Sequence, residues 1–146
     1  MKDFKVIEVK RSIFEDNDAD AAKLRNELKS EGTFLLNLMS SPGAGKTTTL
    51  KRTIGMLKDE MQIGVMEADI DSDVDAQAIS DTGVRAIQIH TGGMCHLDAD
   101  MSRQGMAALE DEADNALDFI ILENVGNLVC PAEFDTGACL NVAILS

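Results

Sequence analysis

Residues 34–57 read FLLNLMSSPGAGKTTTLKRTIGML, and this stretch decides the fold. Residues 34–39 are nearly all apolar, as in a parallel strand covered on both faces. Leu50, Ile54 and Leu57, with Met61 beyond, mark one stripe of a helix. Between them, residues 40–47 read SSPGAGKT, the G-x-x-x-x-G-K-S/T phosphate loop with Ser40 in the first glycine position. Successive backbone N–H groups of such a turn wrap a β-phosphate, and a helix starting near Lys46 points its positive end at the same anion. Pro42, Gly43, Ala44 and Gly45 form the cradle, with Gly43 and Gly45 supplying its curvature. Lys46 reaches the β and γ oxygens, the Thr47 hydroxyl suits Mg²⁺, and Thr48 completes the binding turn. The plain alternative is a glycine-rich turn that only starts a helix. The order strand, turn, helix argues against it.

The pattern repeats outward. IGVMEA (63–68), VRAIQI (84–89), FIILE (119–123) and LNVAIL (140–145) read as strands, and FKVIEV (4–9) as a short strand or an extended arm. Helices are predicted over about 16–31, from 75 to 80, and from Leu97 to about Leu117. Strands alternating with helices imply a three-layer α/β P-loop fold with a mostly parallel sheet, whose ligands bind at the carboxyl ends of the strands. Residues 1–33 form an N-terminal extension and helix, and 34–146 the P-loop domain. An apolar strand running to the end of the sequence leads us to expect a domain incomplete at its C-terminus, with apolar sheet surface left uncovered.

The 146 residues carry 13 Lys and Arg against 26 Asp and Glu, a formal net charge of −13. The only basic side chains after position 60 are Arg85 and Arg103. Such a surface repels nucleic acid, so a polyanionic ligand needs a local device such as backbone amides or a metal ion. No apolar run is long enough to cross a bilayer and the start resembles no secretory signal. The expected compartment is the cytoplasm.

Other unusual residues fall at the same strand ends. Asp69 and Glu123 each end an apolar strand and are the candidates for the Mg²⁺ partner, with Asp75 placed to reach the ion or orient the attacking water. Gly126 lets a backbone N–H approach a γ-phosphate. Asp71 and Asp73 read as surface charge. Cys95 and His96 are adjacent soft and borderline ligands after the turn at Gly92 and Gly93, and Cys130 lies four residues past Gly126. Two ligands do not complete a tetrahedral site, so Cys130, water or a second copy of the chain must supply the rest. Burial of the cysteine and a capping histidine is the plain alternative. Cys139 reads as core filler and His90 as a hydrogen-bonded turn residue.

LLNLMSSPGAGKTTTL (35–50), EADIDSDVDAQ (67–77), IQIHTGGMCHLDADM (87–101) and ILENVGNLVCPAEFDTG (121–137) together resemble the nickel-incorporation GTPases of NiFe-hydrogenase maturation, the HypB family, related to the urease accessory GTPases. In that family SSPG-x-GKT is the usual loop, so Ser40 is the expected residue. The resemblance implies GTP and Mg²⁺ as ligands, Asp69 and Asp75 as first-switch acids, and Glu123 to Gly126 as the Walker-B-like segment and second switch. It further implies a dimer-interface site for Ni²⁺ or Zn²⁺ built from Cys95, His96 and Cys130. The implied partners are a second copy of the chain, other hydrogenase maturation factors and the hydrogenase large-subunit precursor. An N-K-x-D segment, which reads guanine in that family, does not occur in these residues, so base preference rests on the resemblance. A Cys-rich nickel motif and a histidine run are also lacking. The leading expectation is a GTP-hydrolysing metallochaperone in which Lys46, Asp75 and Glu123 serve catalysis. A P-loop small-molecule kinase and a non-catalytic nucleotide- or metal-binding regulatory module are the alternatives.

Overall fold

Six strands, β1 (Lys5–Glu8), β2 (Phe34–Ser40), β3 (Ile63–Asp69), β4 (Arg85–His90), β5 (Phe119–Glu123) and β6 (Leu140–Ile144), form one sheet in the order β1-β4-β3-β5-β2-β6. Every pairing in it is parallel. The computed structural model describes residues 4–10, 16–41, 45–69, 74–110, 116–126 and 128–145, with the side chains of Asp69, Val74 and Asp75 outside the description. The loop residues Pro42, Gly43 and Ala44, and the acidic residues Asp71 and Asp73, therefore also lie outside it.

Alternation along the strands separates two cores. On one face Leu35, Met66, Ile87, Ile89 and Leu122 pack with residues of α1 (Asn17–Glu31) and α4 (Ala99–Glu110). On the other Leu38, Val65, Ala86 and Ile121 pack with Leu50 and Ile54 of α2 (Lys46–Leu57) and Ile79 of α3 (Val74–Ser80). This is the expected three-layer arrangement. Since β4 and β5 are separated by β3, the loops that follow them start two strands apart at the carboxyl edge.

Local chemistry sets the element ends. The Asp16 side chain accepts the Ala19 N–H at 3.0 Å to open α1, and Gly32, at φ 75°, closes it. FKVIEV is settled as a strand, β1, at the sheet edge. Two expectations are corrected. The fourth helix starts at Ala99 and not Leu97, because Asp98 caps it by accepting the Met101 N–H at 2.9 Å; residues 116 and 117, which the spacing had included, are not helical. Cys139 is exposed and not core, since its N–H bonds to Leu35 O at 2.8 Å just before β6 while its side chain meets solvent. A short helix that periodicity did not predict, α5 (Cys130–Glu133), follows β5 with Pro131 in its first turn.

Gly105 lets α4 come close to the sheet: a Cβ there would stand 2.7 Å from Ile89 Cδ1 and 2.8 Å from Met66 Sδ. Among the described residues no helix is long and apolar enough to cross a membrane.

Candidate functional site

The apolar pattern of the α2 and α3 face stops one row short of the carboxyl edge. Gln88, Glu67 and Glu123 are neighbours in register across β4, β3 and β5, and they are 1, 2 and 1% exposed. A buried carboxylate needs a cation or donors to offset lost hydration. Lys46, the first residue of α2, supplies the charge: its Nζ lies 3.2 Å from Glu123 Oε1, and it donates to Asn124 O at 3.4 Å. The Glu123 contact lacks hydrogen-bond geometry, so both Glu123 oxygens are without a hydrogen-bond donor among the described residues. That leaves buried acceptor capacity beside the phosphate loop, which suits hydrated Mg²⁺ or an ordered water.

Gly45 precedes Lys46 at φ 79°, a left-handed conformation suited to glycine, and Thr47 and Thr48 follow in the first turn of α2. A Cβ at Gly126 would lie 3.8 Å from Lys46 Nζ, so Lys46, Glu123 and Gly126 meet as the spacing suggests. Asp69 ends β3 in register with His90, and Asp75 is the second residue of α3. His90 is the last residue of β4 and not a turn residue, and its Nε2 is buried without a hydrogen-bond partner among the described residues.

Asn124 anchors the Glu123 to Gly126 segment. Its N–H donates to Leu38 O at 2.9 Å, and its side-chain amide donates to Asn37 Oδ1 at 3.0 Å. Asn37 in turn donates to Asn141 Oδ1 at 3.0 Å. Two fully buried amides thus tie the loop after β5 to β2 and β6.

Along the same edge, Cys95 and Cys130 pair as a disulfide, with their Cα atoms 5.8 Å apart. Metal ligation by this pair requires its reduced, thiolate form. His96 does not join them as a third converging ligand: among the described residues no group of three or more His, Cys, Asp and Glu side chains gathers in one chain. Its ring stacks instead on Phe134, with centroids 3.7 Å apart and planes at 11°.

Nearby, Arg25 donates twice to Asp135, at 3.0 and 2.8 Å, and once to Ala138 O at 2.9 Å. The Arg25 hydrogen bond holds the Asp135 carboxyl below its ordinary range, opposed by desolvation and helped by the Gly137 N–H. Sequence reasoning missed Glu67, Asn124, Asn17 and Phe134. Only Glu67 carried a visible signal, a charge inside an apolar strand.

Residues 34–141 match the family model described as CobW/HypB/UreG, nucleotide-binding domain. Over 146 residues the chain is 48% identical to hydrogenase maturation factor HypB of Rhizobium leguminosarum bv. viciae, covering 100% of this chain and 48% of that protein. The crystal structure of HypB from Helicobacter pylori in complex with nickel is similar at a TM-score of 0.78 and 43% identity, over 87% of this chain and 59% of that one. Hydrogenase maturation factor HypB from Archaeoglobus fulgidus gives a TM-score of 0.76 at 37% identity, over 90 and 62%. The chain spans about half the length of the curated relatives it matches. The sheet and these likenesses establish the three-layer P-loop NTPase fold.

Proposed function

Because the chain belongs to the CobW/HypB/UreG nucleotide-binding family, we propose that it is the nucleotide-binding part of a GTP-hydrolysing metallochaperone that couples nucleotide state to nickel delivery for NiFe-hydrogenase maturation. The observation that carries this reading is the position of Lys46 between Glu123 and the Asn124 to Gly126 segment. Four residues past Gly126 comes Cys130, in contact with Cys95. One loop therefore touches both the phosphate-binding lysine and a metal-binding sulfur.

In this reading residues 42–48 cradle the phosphates, and Lys46 stabilises the charge that develops as water attacks the γ-phosphorus in line. The bond to the bridging oxygen breaks, leaving GDP and inorganic phosphate. Thr47 and Asp69 would hold Mg²⁺, which supplies charge neutralisation of the phosphates when bound. Glu123 and Asp75 orient the water, and Gly126 offers its N–H to the γ-phosphate. The cargo is Ni²⁺, with Zn²⁺ a chemical competitor, because thiolate and imidazole suit both. Nickel is the ion named for the Helicobacter pylori relative. Cys95 and Cys130 supply two thiolates; His96, whose ring stacks on Phe134 in the single chain, must leave that stack to add its imidazole, and a second copy across a two-fold axis completes the coordination. The acceptor is the hydrogenase large-subunit precursor, reached with other maturation factors in the cytoplasm.

A kinase reading needs free basic groups for a lid. Arg85 donates to Leu109 O and Arg103 is engaged with Asp20 and Glu27, so neither basic residue after position 60 is available. Phosphate release from GTP with Mg²⁺ tests the reading, with Lys46→Ala as the comparison. Release that the substitution abolishes supports it. Equal release by both proteins contradicts it.

A further inference from the structure

We propose that α1 is the positioning element of the cysteine site, with Asn17 setting the separation between its two halves. The inference rests on the reading of Cys95, His96 and Cys130 as ligands of the nickel cargo.

The two halves come from strands that are not neighbours: the 91–98 segment leaves β4 and the 128–139 segment leaves β5, with β3 between them. The sheet fixes only the strand ends at His90 and Glu123, through β3; beyond them no backbone hydrogen bond among the described residues joins the two segments. They touch through Cys95 and Cys130 and through the stacked rings of His96 and Phe134. The second segment, and the first residue of α4 directly after the first segment, are also fastened to one side chain. Asn17 donates from Nδ2 to Asp135 O at 2.8 Å, and its Oδ1 accepts the Ala99 N–H at 2.9 Å. Ala99 lies three residues past His96, and Asp135 directly follows Phe134. A planar amide with both ends engaged is a spacer without slack.

The rest of α1 reinforces it. Arg25 grips Asp135 and Ala138, and the loop lies so close to the helix that a Cβ at Gly137 would stand 2.6 Å from Leu24 Cδ2. By contrast, Arg103 joins α1 only to α4, through Asp20 at 2.9 Å. The matched family segment begins at residue 34, so the N-terminal extension contributes to a site whose proposed ligands all lie in the domain beyond it. Groups outside the ligand shell govern metal affinity by fixing ligand geometry.

The test is titration of the chemically reduced chain with Ni²⁺ alone, followed by thiolate-to-nickel charge-transfer absorption. GTP affinity and melting temperature are measured in parallel. Asn17→Ala should weaken Ni²⁺ binding about tenfold and leave GTP affinity unchanged. Asn17→Asp keeps the acceptor for Ala99 but loses the donor to Asp135 O, and should weaken Ni²⁺ binding similarly. Arg103→Ala should lower the melting temperature while preserving Ni²⁺ affinity. Parental Ni²⁺ affinity in both Asn17 variants, or an equal loss in Arg103→Ala, would overturn the positioning role. Cys95→Ala separates the two levels. If it loses Ni²⁺ while the Asn17 variants keep it, only the positioning role fails; if it binds Ni²⁺ like the parent, the ligand reading fails and takes the inference with it.

Discussion

Lys46 Nζ stands 3.2 Å from Glu123 Oε1, and the carboxylate is 1% exposed. The ammonium proposed to serve the phosphates is thus matched by a buried acid at the end of β5. Under the proposed function, bound phosphate and Glu123 would both draw on the same positive charge, and this competition would tie the nucleotide to the loop carrying Cys130.

Lys46→Ala should reduce GTP affinity by at least about 100-fold, roughly 2.7 kcal/mol, measured by calorimetry. A folded variant with parental affinity would show that this turn does not hold phosphate.

Glu123→Gln keeps the shape of the side chain and removes its charge. GTP should bind at least as tightly, because Lys46 is released, while phosphate release should slow by about 100-fold. Unchanged turnover in a stopped-assay comparison would remove Glu123 from the chemistry.

The Asp135 carboxyl is held low by the Arg25 hydrogen bond. A depressed acid contributes stability that is complete above its unfolded pKa, near 3.9, and is lost as pH falls through its lower folded value. Asp135→Asn should therefore melt lower than the parent by a constant margin at pH 5 to 7. For a partly exposed pair worth at most about 1 kcal/mol, that margin is about 3 °C. It should shrink below about pH 4. A margin that widens on acidification would reverse the assignment.

Gly105→Ala adds a methyl 2.7 Å from Ile89 Cδ1 and 2.8 Å from Met66 Sδ. The expected loss is about 1–3 kcal/mol of unfolding free energy, read from urea denaturation. A neutral result would mean that α4 can withdraw from the sheet without cost.

What the sequence disclosed was what is local or periodic. FLLNLM, the glycine turn and the Leu50, Ile54 stripe specify a strand, a loop and a helix within one stretch, and the helix does begin at Lys46. The start of α4 was misplaced because Leu97 is buried whether or not it is helical, and burial alone does not reveal that Asp98 is a cap. Cys139 misled for a related reason: a small apolar residue beside a strand reads as core, yet it precedes an edge strand whose outer residues meet solvent. The residues alone left Cys130, water or a second copy open as partners of Cys95, the resemblance joined Cys95 and Cys130 in one site, and the fold brings their sulfurs together. Asn17 was invisible, since its partners lie 82 and 118 residues away and an asparagine at the start of a helix already has a local explanation.

The central claim is that nucleotide state and metal binding are coupled through the loop running from Glu123 to Cys130. The most direct measurement is Ni²⁺ titration of the reduced chain bound to GDP and bound to a non-hydrolysable GTP analogue, with sedimentation recording association of two copies. Different Ni²⁺ affinities are expected in the two states, with Ni²⁺ changing nucleotide affinity by the same factor, as linkage requires. Cys95→Ala should abolish the difference and Cys139→Ala should leave it intact. Identical Ni²⁺ affinities with both nucleotides would contradict the account.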